Sequence, residues 1–314
     1  MIIWTLLKKW LRKLFCKEET KEEEPMLSNA IMGAGGNDLP EFTFANAKYD
    51  AAKSADLGGV IDRAPFGWSM SADGTKGYTH NRRDEVSQVN FSTPFDATTA
   101  TRGGMYAEDN SVGDTFDRMR GFSMNAGGDH ALILGMINFT SLEPNVYTTT
   151  NGNLLGMANM QNGPDSSSVD AVDEILGCCY LSADGSFYLV GTGQLTAGGL
   201  GQIIRVNMPT PYNRQTSVVT SITTFSETGS EVKDMTFSPD GLMMGLIGYP
   251  SVANYSRAFR YVLTTPFDPA TATLVESYVF PELNQQEMKG IHFRADMKGF
   301  SIAFARGNLH VYDL

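Results

Sequence analysis

An Asp-Gly pair recurs at regular intervals along the chain, and this repeat constrains the fold more than any other feature of the sequence. The last two pairs lie 56 residues apart (184 to 240), and the first two lie 111 residues apart (73 to 184), close to twice that spacing. A degenerate unit is therefore expected near Gly128, and one more period reaches Asp296. The clear pairs are Asp73-Gly74, Asp184-Gly185 and Asp240-Gly241. The spacing predicts five units, and a fixed period is typical of solenoids, propellers and arrays.

Each unit is predicted to contain four short strands. In the clearest unit, apolar and small polar residues alternate over Met235-Thr236-Phe237-Ser238, which is the period-two signature of a β-strand. The Asp-Gly pair then supplies a tight hairpin, since Gly tolerates positive φ and Asp accepts it better than most residues. Proline cannot donate to a central ladder, so Pro266 is expected to mark the end of the third strand. The later strands are predicted over 242–247, 259–263 and 273–279.

Four strands per unit, with no helical pattern between units, predict an all-β fold. We expect a five-bladed β-propeller with blades of about 56 residues over 41–314. The fifth unit reaches only the end of a third strand at Leu314. A strand-like segment over 41–49 precedes the first unit and is predicted to complete the last blade, which would remove an open sheet edge.

One column of positions precedes the core residue of each predicted innermost strand. Four of its five members are small, as expected where five strands crowd around a narrow axis. Asp234 is the exception and is the candidate channel residue. The column comprises Gly67, Gly121, Cys178, Asp234 and Gly290.

Composition limits the classes of function. The chain has 314 residues, a formal net charge of −11 and 42% hydrophobic residues, which is enough for a core. A nucleic-acid partner is not expected, because phosphate binding needs clustered Lys and Arg. The three Cys residues, at positions 16, 178 and 179, form no regular spacing, so we expect buried thiols and folding in a reducing cytoplasm.

The amino-terminal region is predicted to be separate from the propeller. Residues 1–25 read as an amphipathic basic helix with an acidic segment, and 26–40 as a glycine-rich linker. The helix lacks the features of a secretory signal and is too short and charged to span a bilayer. It could dock in a groove of a partner, lie on a membrane surface or pack on its own propeller. The apolar, partner-docking face comprises Ile3, Trp4, Leu7, Trp10, Leu11, Leu14 and Phe15.

No catalytic or metal-binding motif stands out. The four His residues are scattered, and phosphate loops, nucleophile elbows and Cys-x-x-Cys pairs are absent from the sequence. We therefore predict no enzyme activity, no catalytic residues, no cofactor and no metal. Acidic loops over 109–114 and 165–170 could hold calcium, but they do not match EF-hand spacing and read as solvated loops.

An enzyme is the alternative from a different class. A propeller glycoside hydrolase, or a lactonase-like enzyme, would need several carboxylates or a metal near the channel. The candidate carboxylates are Asp62, Asp117, Glu174, Asp234 and Glu287. If a ligand binds, variable loops are its expected location, and exposed aromatic side chains there can stack on sugars. The candidate ligand face comprises Asn81, Arg82, Tyr249 and Tyr255.

Two stretches resemble a known group of proteins. The run over 237–241, leading to 261–268 and then 270–273, resembles the propeller repeats of structural proteins predicted for tailed bacteriophages, particularly marine ones. The leader over 26–36 is similar to the start of many virion proteins from the same setting. The resemblance implies a non-enzymatic tail or capsid appendage, or decoration protein, found in the virion after folding in the host cytoplasm without a signal peptide.

The resemblance also implies partners. The amino-terminal helix would dock on a portal, tail or capsid protein, and the propeller would contact a glycan or protein of the host surface. A membrane-peripheral scaffold held by the basic helix is the remaining alternative.

Overall fold

The computed structural model describes residues 42–61, 65–81, 85–107, 118–137, 141–150, 153–159, 174–194, 200–249, 256–281 and 287–314. The chain divides into Met1–Pro40 and Glu41–Leu314, and the described residues all belong to the second unit. The predicted amphipathic helix, its docking face and the linker lie outside the described residues.

The described residues form 21 β-strands, and all their pairings are antiparallel. Two short strands come first, β1 (Lys48–Tyr49) and β2 (Ala55–Asp56). Blade one contains β3 (Ser69–Met70), β4 (Lys76–His80), β5 (Glu85–Phe91) and β6 (Ala100–Ala107). Blade two contains β7 (Arg118–Met124), β8 (His130–Ile137), β9 (Ser141–Thr150) and β10 (Asn153–Asn159). Blade three contains β11 (Glu174–Leu181), β12 (Phe187–Gln194), β13 (Gly201–Asn207) and β14 (Val218–Phe225). Blade four contains β15 (Val232–Phe237), β16 (Met243–Gly248), β17 (Arg257–Leu263) and β18 (Ala272–Tyr278). Blade five contains β19 (Met288–Phe293), β20 (Gly299–Phe304) and β21 (Asn308–Asp313).

The five sheets close into a ring. Within each blade the first, innermost strand lies at one edge and the following strands are added in chain order, and β1 and β2 join blade five beside β21. These first strands contact one another in the cyclic order β3, β7, β11, β15, β19 and back to β3, and therefore surround a common axis. A hydrophobic cluster fills each of the five junctions between neighbouring blades. The prediction of an all-β, five-bladed propeller is confirmed.

The last blade is completed from the amino-terminal side, as predicted, but not by one strand over 41–49. Both β1 and β2 pair with β21, with Tyr49 opposite Tyr312 and Ala55 opposite Leu309. Upstream, Phe44 is fully buried and its N–H donates to Glu276 Oε2 at 2.9 Å. The alternating apolar residues of this segment therefore fill the junction between blades four and five, and only its last two residues form a strand.

The Asp-Gly turns explain the repeat that dominates the sequence. In each Asp-Gly pair the glycine, and not the aspartate, adopts positive φ, for example 70° at Gly241. The aspartate was expected to tolerate positive φ, but its side chain acts as a hydrogen-bond acceptor instead. Asp240 Oδ1 accepts the N–H of Leu242 at 3.0 Å and the hydroxyl of Ser238. The first strand thus turns into the second through a side-chain cap, in which Asp mimics a backbone acceptor.

The innermost strands share an irregularity near their beginning. The register of β15 with β16 shifts between Val232 and Asp234, and that of β19 with β20 shifts between Met288 and Gly290. Corresponding shifts occur in β7 and β11. One extra residue is therefore present in each of these strands, as in a β-bulge, and bulges redirect side chains. The extra residues are Arg120, Gly177, Lys233 and Lys289.

Candidate functional site

A group of four charged side chains joined by ion pairs lies where the innermost strands of blades four and five begin. We call this end of the axis the channel mouth. Its charged residues are the two bulge lysines and a glutamate preceding each of them: Glu231, Lys233, Glu287 and Lys289. The side chains of Lys233 and Lys289 are only 14% and 9% exposed.

The two lysines share one carboxylate oxygen. Lys289 Nζ lies 2.7 Å from Glu287 Oε1, and Lys233 Nζ lies 3.1 Å from the same atom. Lys233 has a second partner, Glu231 Oε2, at 2.9 Å. The two ammonium groups therefore converge on one point between the blades, and each blade supplies one lysine.

The pKa values of the two lysines shift in opposite directions. Burial acts to lower both, because it disfavours the charged form. At Lys233, the charges and hydrogen bonds of Glu231 and Glu287 outweigh burial, and the pKa is raised. At Lys289, burial prevails over the opposing effect of Glu287 and is reinforced by the positive charge of Lys233, so the pKa is lowered. Lys289 is thus the less well compensated charge of the pair.

The two lysines in turn shift the pKa of Glu287. Burial alone would raise it, but the hydrogen bond from Lys289 and the positive charges of Lys233 and Lys289 outweigh that effect. The pKa is lowered as a result, and Glu287 is held as a carboxylate.

Aromatic rings flank both ammonium groups. Lys289 Nζ lies 4.6 Å from the centroid of the Phe66 ring, and Lys233 Nζ lies 5.3 Å from that of Tyr249. Such cation–π contacts stabilise a cation that has lost water. Phe66 precedes the innermost strand of blade one, so the channel mouth draws on blades four, five and one.

Asp234 lies one residue beyond Lys233, on the axis itself. It is 5% exposed, and its Oδ2 accepts the N–H of Ile291 at 2.8 Å. Burial raises the pKa of this carboxyl to about 8, against the lowering effect of backbone N–H groups from Ile291, Met235 and Trp68. Since these donors belong to blades five, four and one, Asp234 links three blades.

Close backbone approach around the axis explains the small residues of the column. A Cβ atom at Gly290 would lie 2.4 Å from the backbone N of Trp68, and one at Gly121 would lie 3.1 Å from the backbone N of Cys179. The innermost strands are also tied by hydroxyl acceptors, such as Thr236 Oγ1, which accepts the N–H of Phe293 at 3.1 Å. Asp234 is likewise a side-chain acceptor that ties neighbouring innermost strands together through backbone N–H groups.

The candidate ligand face is only partly described. Tyr249 contacts the channel mouth through Lys233, while Asn81 is 7% exposed and donates to Glu85 Oε2 at 2.6 Å within blade one. Arg82 and Tyr255 lie outside the described residues.

Three of the five candidate carboxylates lie within the described residues. Asp234 lies on the axis and Glu287 at the channel mouth, while Glu174 begins β11. Asp62, Asp117 and both predicted acidic loops lie outside the described residues.

The thiols and imidazoles do not assemble into a centre in the described part of the chain. Cys178 and Cys179 are buried and unpaired, and burial raises the pKa of both thiols. Burial lowers the pKa of His80 and of His292 to about 4. No group of three or more metal-ligating side chains converges within the described residues. None of the helices found there is long and apolar enough to cross a membrane.

No protein-family profile matches the chain, and no curated protein sequence matches it. Among solved structures, Kuenenia stuttgartiensis hydrazine synthase is similar at 15% identity and a TM-score of 0.43, over 77% of this chain and 55% of that one. The chain thus spans about half the length of that enzyme chain. The Cps50 (Swd1) β-propeller domain of Myceliophteria thermophila is similar at 9% identity and a TM-score of 0.42, over 85% of this chain and all of that one. At these identities the likeness concerns the fold alone.

Our sequence reasoning missed Lys233 and Lys289 because it considered the small-residue column and not the position before it. That position carries a basic residue in three of the five blades, which is unusual in a strand next to a crowded axis. The five residues are Phe66, Arg120, Gly177, Lys233 and Lys289. These basic residues could have been noticed in the sequence, but only the structure shows the ion pairs that join blades four and five.

Proposed function

We propose that this chain is a non-enzymatic binding protein, and more specifically a tail or capsid appendage, or decoration protein, of a tailed phage particle. The observation that carries the binding role is the channel mouth, where two largely buried lysines converge at the end of a ring whose five blade junctions are filled by apolar side chains. A β-propeller is compatible with a protein-interaction role, although a fold alone does not define a function.

The virion assignment is supported by the resemblance of the run over 237–241, and of the recurring Thr-Pro-Phe-Asp element, to phage propeller repeats. In this proposal, residues 1–25 dock on a portal, tail or capsid protein, and the propeller contacts the host surface. The protein folds in the host cytoplasm and is carried in the particle. The non-enzymatic reading is supported at Asp234, because its carboxyl is engaged by backbone N–H groups and serves the ring.

The test is to find the protein in purified particles of the phage that encodes it. Mass spectrometry of gradient-purified particles should detect the chain at a fixed copy number relative to the major capsid protein. Cryo-electron microscopy of the same particles should then show residues 1–25 in contact with another virion protein. Absence of the chain from particles that retain infectivity would overturn the virion assignment.

A variant separates docking from folding. Replacing Leu7 and Leu11 with Asp in the full chain changes only the proposed docking face. We expect this variant to fold, as judged by the unchanged urea midpoint of its propeller, and to be lost from particles. A variant with Lys9 and Lys13 replaced by Gln serves as the matched control, and we expect it to be incorporated.

A further inference from the structure

We infer that the channel mouth binds a carboxylate-bearing sugar unit, of the uronic-acid class, through the ammonium groups of Lys233 and Lys289. This inference rests on the proposed function, because it names the chemical class of host-surface ligand that the propeller would contact. The site lies between blades four and five, and the rings of Phe66 and Tyr249 flank it.

Lys289 is the residue from which the inference starts. An ammonium group has three N–H donors. Among the described residues, its one hydrogen-bonded carboxylate partner is Glu287 Oε1, and its ammonium group also lies over the face of Phe66. Its side chain is 9% exposed, so water replaces the missing acceptors poorly. A buried polar group without its partners costs free energy, and an incoming anion would supply the acceptor.

The charge balance selects the type of anion. Two lysines face two glutamates at the channel mouth, so these four side chains sum to zero when all are ionised. A monoanion such as a carboxylate adds one negative charge next to the two ammonium groups. A phosphate dianion would place twice that charge beside Glu231 and Glu287, and repulsion would disfavour it. A carboxylate is therefore preferred over a phosphate.

The glutamates extend the recognition from a carboxylate to a sugar acid. Glu231 and Glu287 are 30% and 34% exposed, so both can be reached from solvent. The two ion pairs of Glu287 use only Oε1, and that of Glu231 uses Oε2, which leaves one carboxylate oxygen on each residue to accept a hydroxyl. Donors for a carboxylate beside acceptors for hydroxyls match a uronic acid, in which both groups lie on one ring.

Isothermal titration calorimetry of the full chain with D-glucuronate at low ionic strength tests the inference. D-glucose, acetate and inorganic phosphate serve as comparison ligands. We expect glucuronate to bind at least tenfold more tightly than each of them, because only it carries both the carboxylate and the hydroxyls. Lys289→Gln should weaken glucuronate binding by tenfold or more.

Lys298→Gln is the matched control. Lys298 lies in the same blade, is exposed, and follows the opposite end of β19. We expect this variant to bind glucuronate as the unchanged protein does. Equal urea midpoints for both variants would show that lost binding does not reflect lost folding.

Two results would overturn the inference. If no ligand binds the unchanged protein, the lysines and glutamates form a closed ion-pair network. If acetate binds as tightly as glucuronate, the site takes carboxylates and not sugar acids. The particle experiment tests the proposed function separately. If the chain is found in particles but does not bind glucuronate, the virion role stands and the sugar-acid inference is wrong. If the chain is absent from particles but binds glucuronate, the virion role is wrong and the binding site stands.

Discussion

Asp234 and Lys289 are two buried ionisable residues on neighbouring innermost strands, and their surroundings differ. The carboxyl of Asp234 is met by backbone N–H groups from three blades. The ammonium of Lys289 is met by one carboxylate oxygen and one aromatic face. Burial of an ionisable side chain therefore does not by itself mark a functional site. What distinguishes the two residues is whether the protein itself supplies all the hydrogen-bond partners.

The difference follows from position along the strand. Asp234 occupies the column in which close backbone approach leaves room for little but main chain, so its partners are main-chain groups. Lys233 and Lys289 occupy the extra position of each bulge, and both of their ammonium groups contact Glu287 Oε1. The residues on the axis therefore stabilise the ring, whereas the channel mouth is the site of the proposed recognition.

The largest effect is expected from Asp234→Ala. This change removes the acceptor of up to three buried N–H donors, and each orphaned donor costs on the order of 1–3 kcal/mol. We expect the free energy of unfolding to fall by about 3 kcal/mol, as measured by urea denaturation. Ser69→Ala, in the innermost strand of blade one, is the control, since its hydroxyl has no partner among the described residues. Equal stability of the two variants would contradict the linking role of Asp234.

A second effect concerns pH. The pKa of Asp234 is raised to about 8 in the folded protein from an ordinary value of 3.8. Between these values the unfolded chain has released the proton and the folded chain retains it, so stability contributed by this group is complete below pH 3.8 and is lost as pH rises toward 8. Asp234→Asn cannot titrate there. Between pH 6 and pH 7, we expect the unchanged protein to lose up to about 1.4 kcal/mol relative to this variant.

Paired urea titrations at pH 6 and pH 7 measure this difference. All other groups titrate equally in the two proteins, so the comparison isolates Asp234. If the unchanged protein gained stability relative to the variant over this interval, the carboxyl would be ionised in the folded state, and the backbone N–H groups would outweigh burial.

The sequence predicted the architecture well because its strongest signals are local. The Asp-Gly turn needs positive φ at one residue, and that requirement repeats with the blade, so Gly74, Gly185 and Gly241 reveal the period. The amino-terminal closure was predicted from the same logic. Its form was not, because Phe42 and Phe44 alternate as in a strand but are used as fillers of the junction with Phe293 and Phe300.

The candidate site was predicted only in part because its signals are not local. Lys233 and Glu287 are 54 residues apart in the chain and meet only when blades four and five pack together. Asp234 was noticed as an exception to a pattern, but its role depended on donors from other blades. A periodic sequence reveals what every blade shares, whereas a site formed by one junction appears only as a deviation at one position.

A smaller effect is expected from Glu287→Gln at the channel mouth. This change leaves Lys289 without a carboxylate partner, while Lys233 retains Glu231. Because Glu287 is a third exposed and solvent screens its interactions, we expect the free energy of unfolding to fall by only about 1 kcal/mol. Glu227→Gln, at an exposed glutamate, is the control and should leave stability unchanged. A loss as large as that of Asp234→Ala would mean that the mouth supports the ring as strongly as the axis does.

The smallest effect on stability is expected from Lys289→Met, and this variant tests most directly whether Lys289, unlike Asp234, contributes little to the fold. Removing Lys289 orphans no charge, because Glu287 remains paired with Lys233. Methionine is also unbranched and is one atom shorter, so it can still pack against Phe66, and replacing a buried charge with an apolar side chain is often neutral or stabilising. We expect the free energy of unfolding to change by less than about 0.5 kcal/mol in urea denaturation. Lys233→Met is the matched variant, and it should cost more because it leaves Glu231 without its only lysine partner in the described residues. If Lys289→Met destabilised the protein more than Glu287→Gln, the lysine would serve the fold, and its uncommitted N–H donors would need no ligand to explain them.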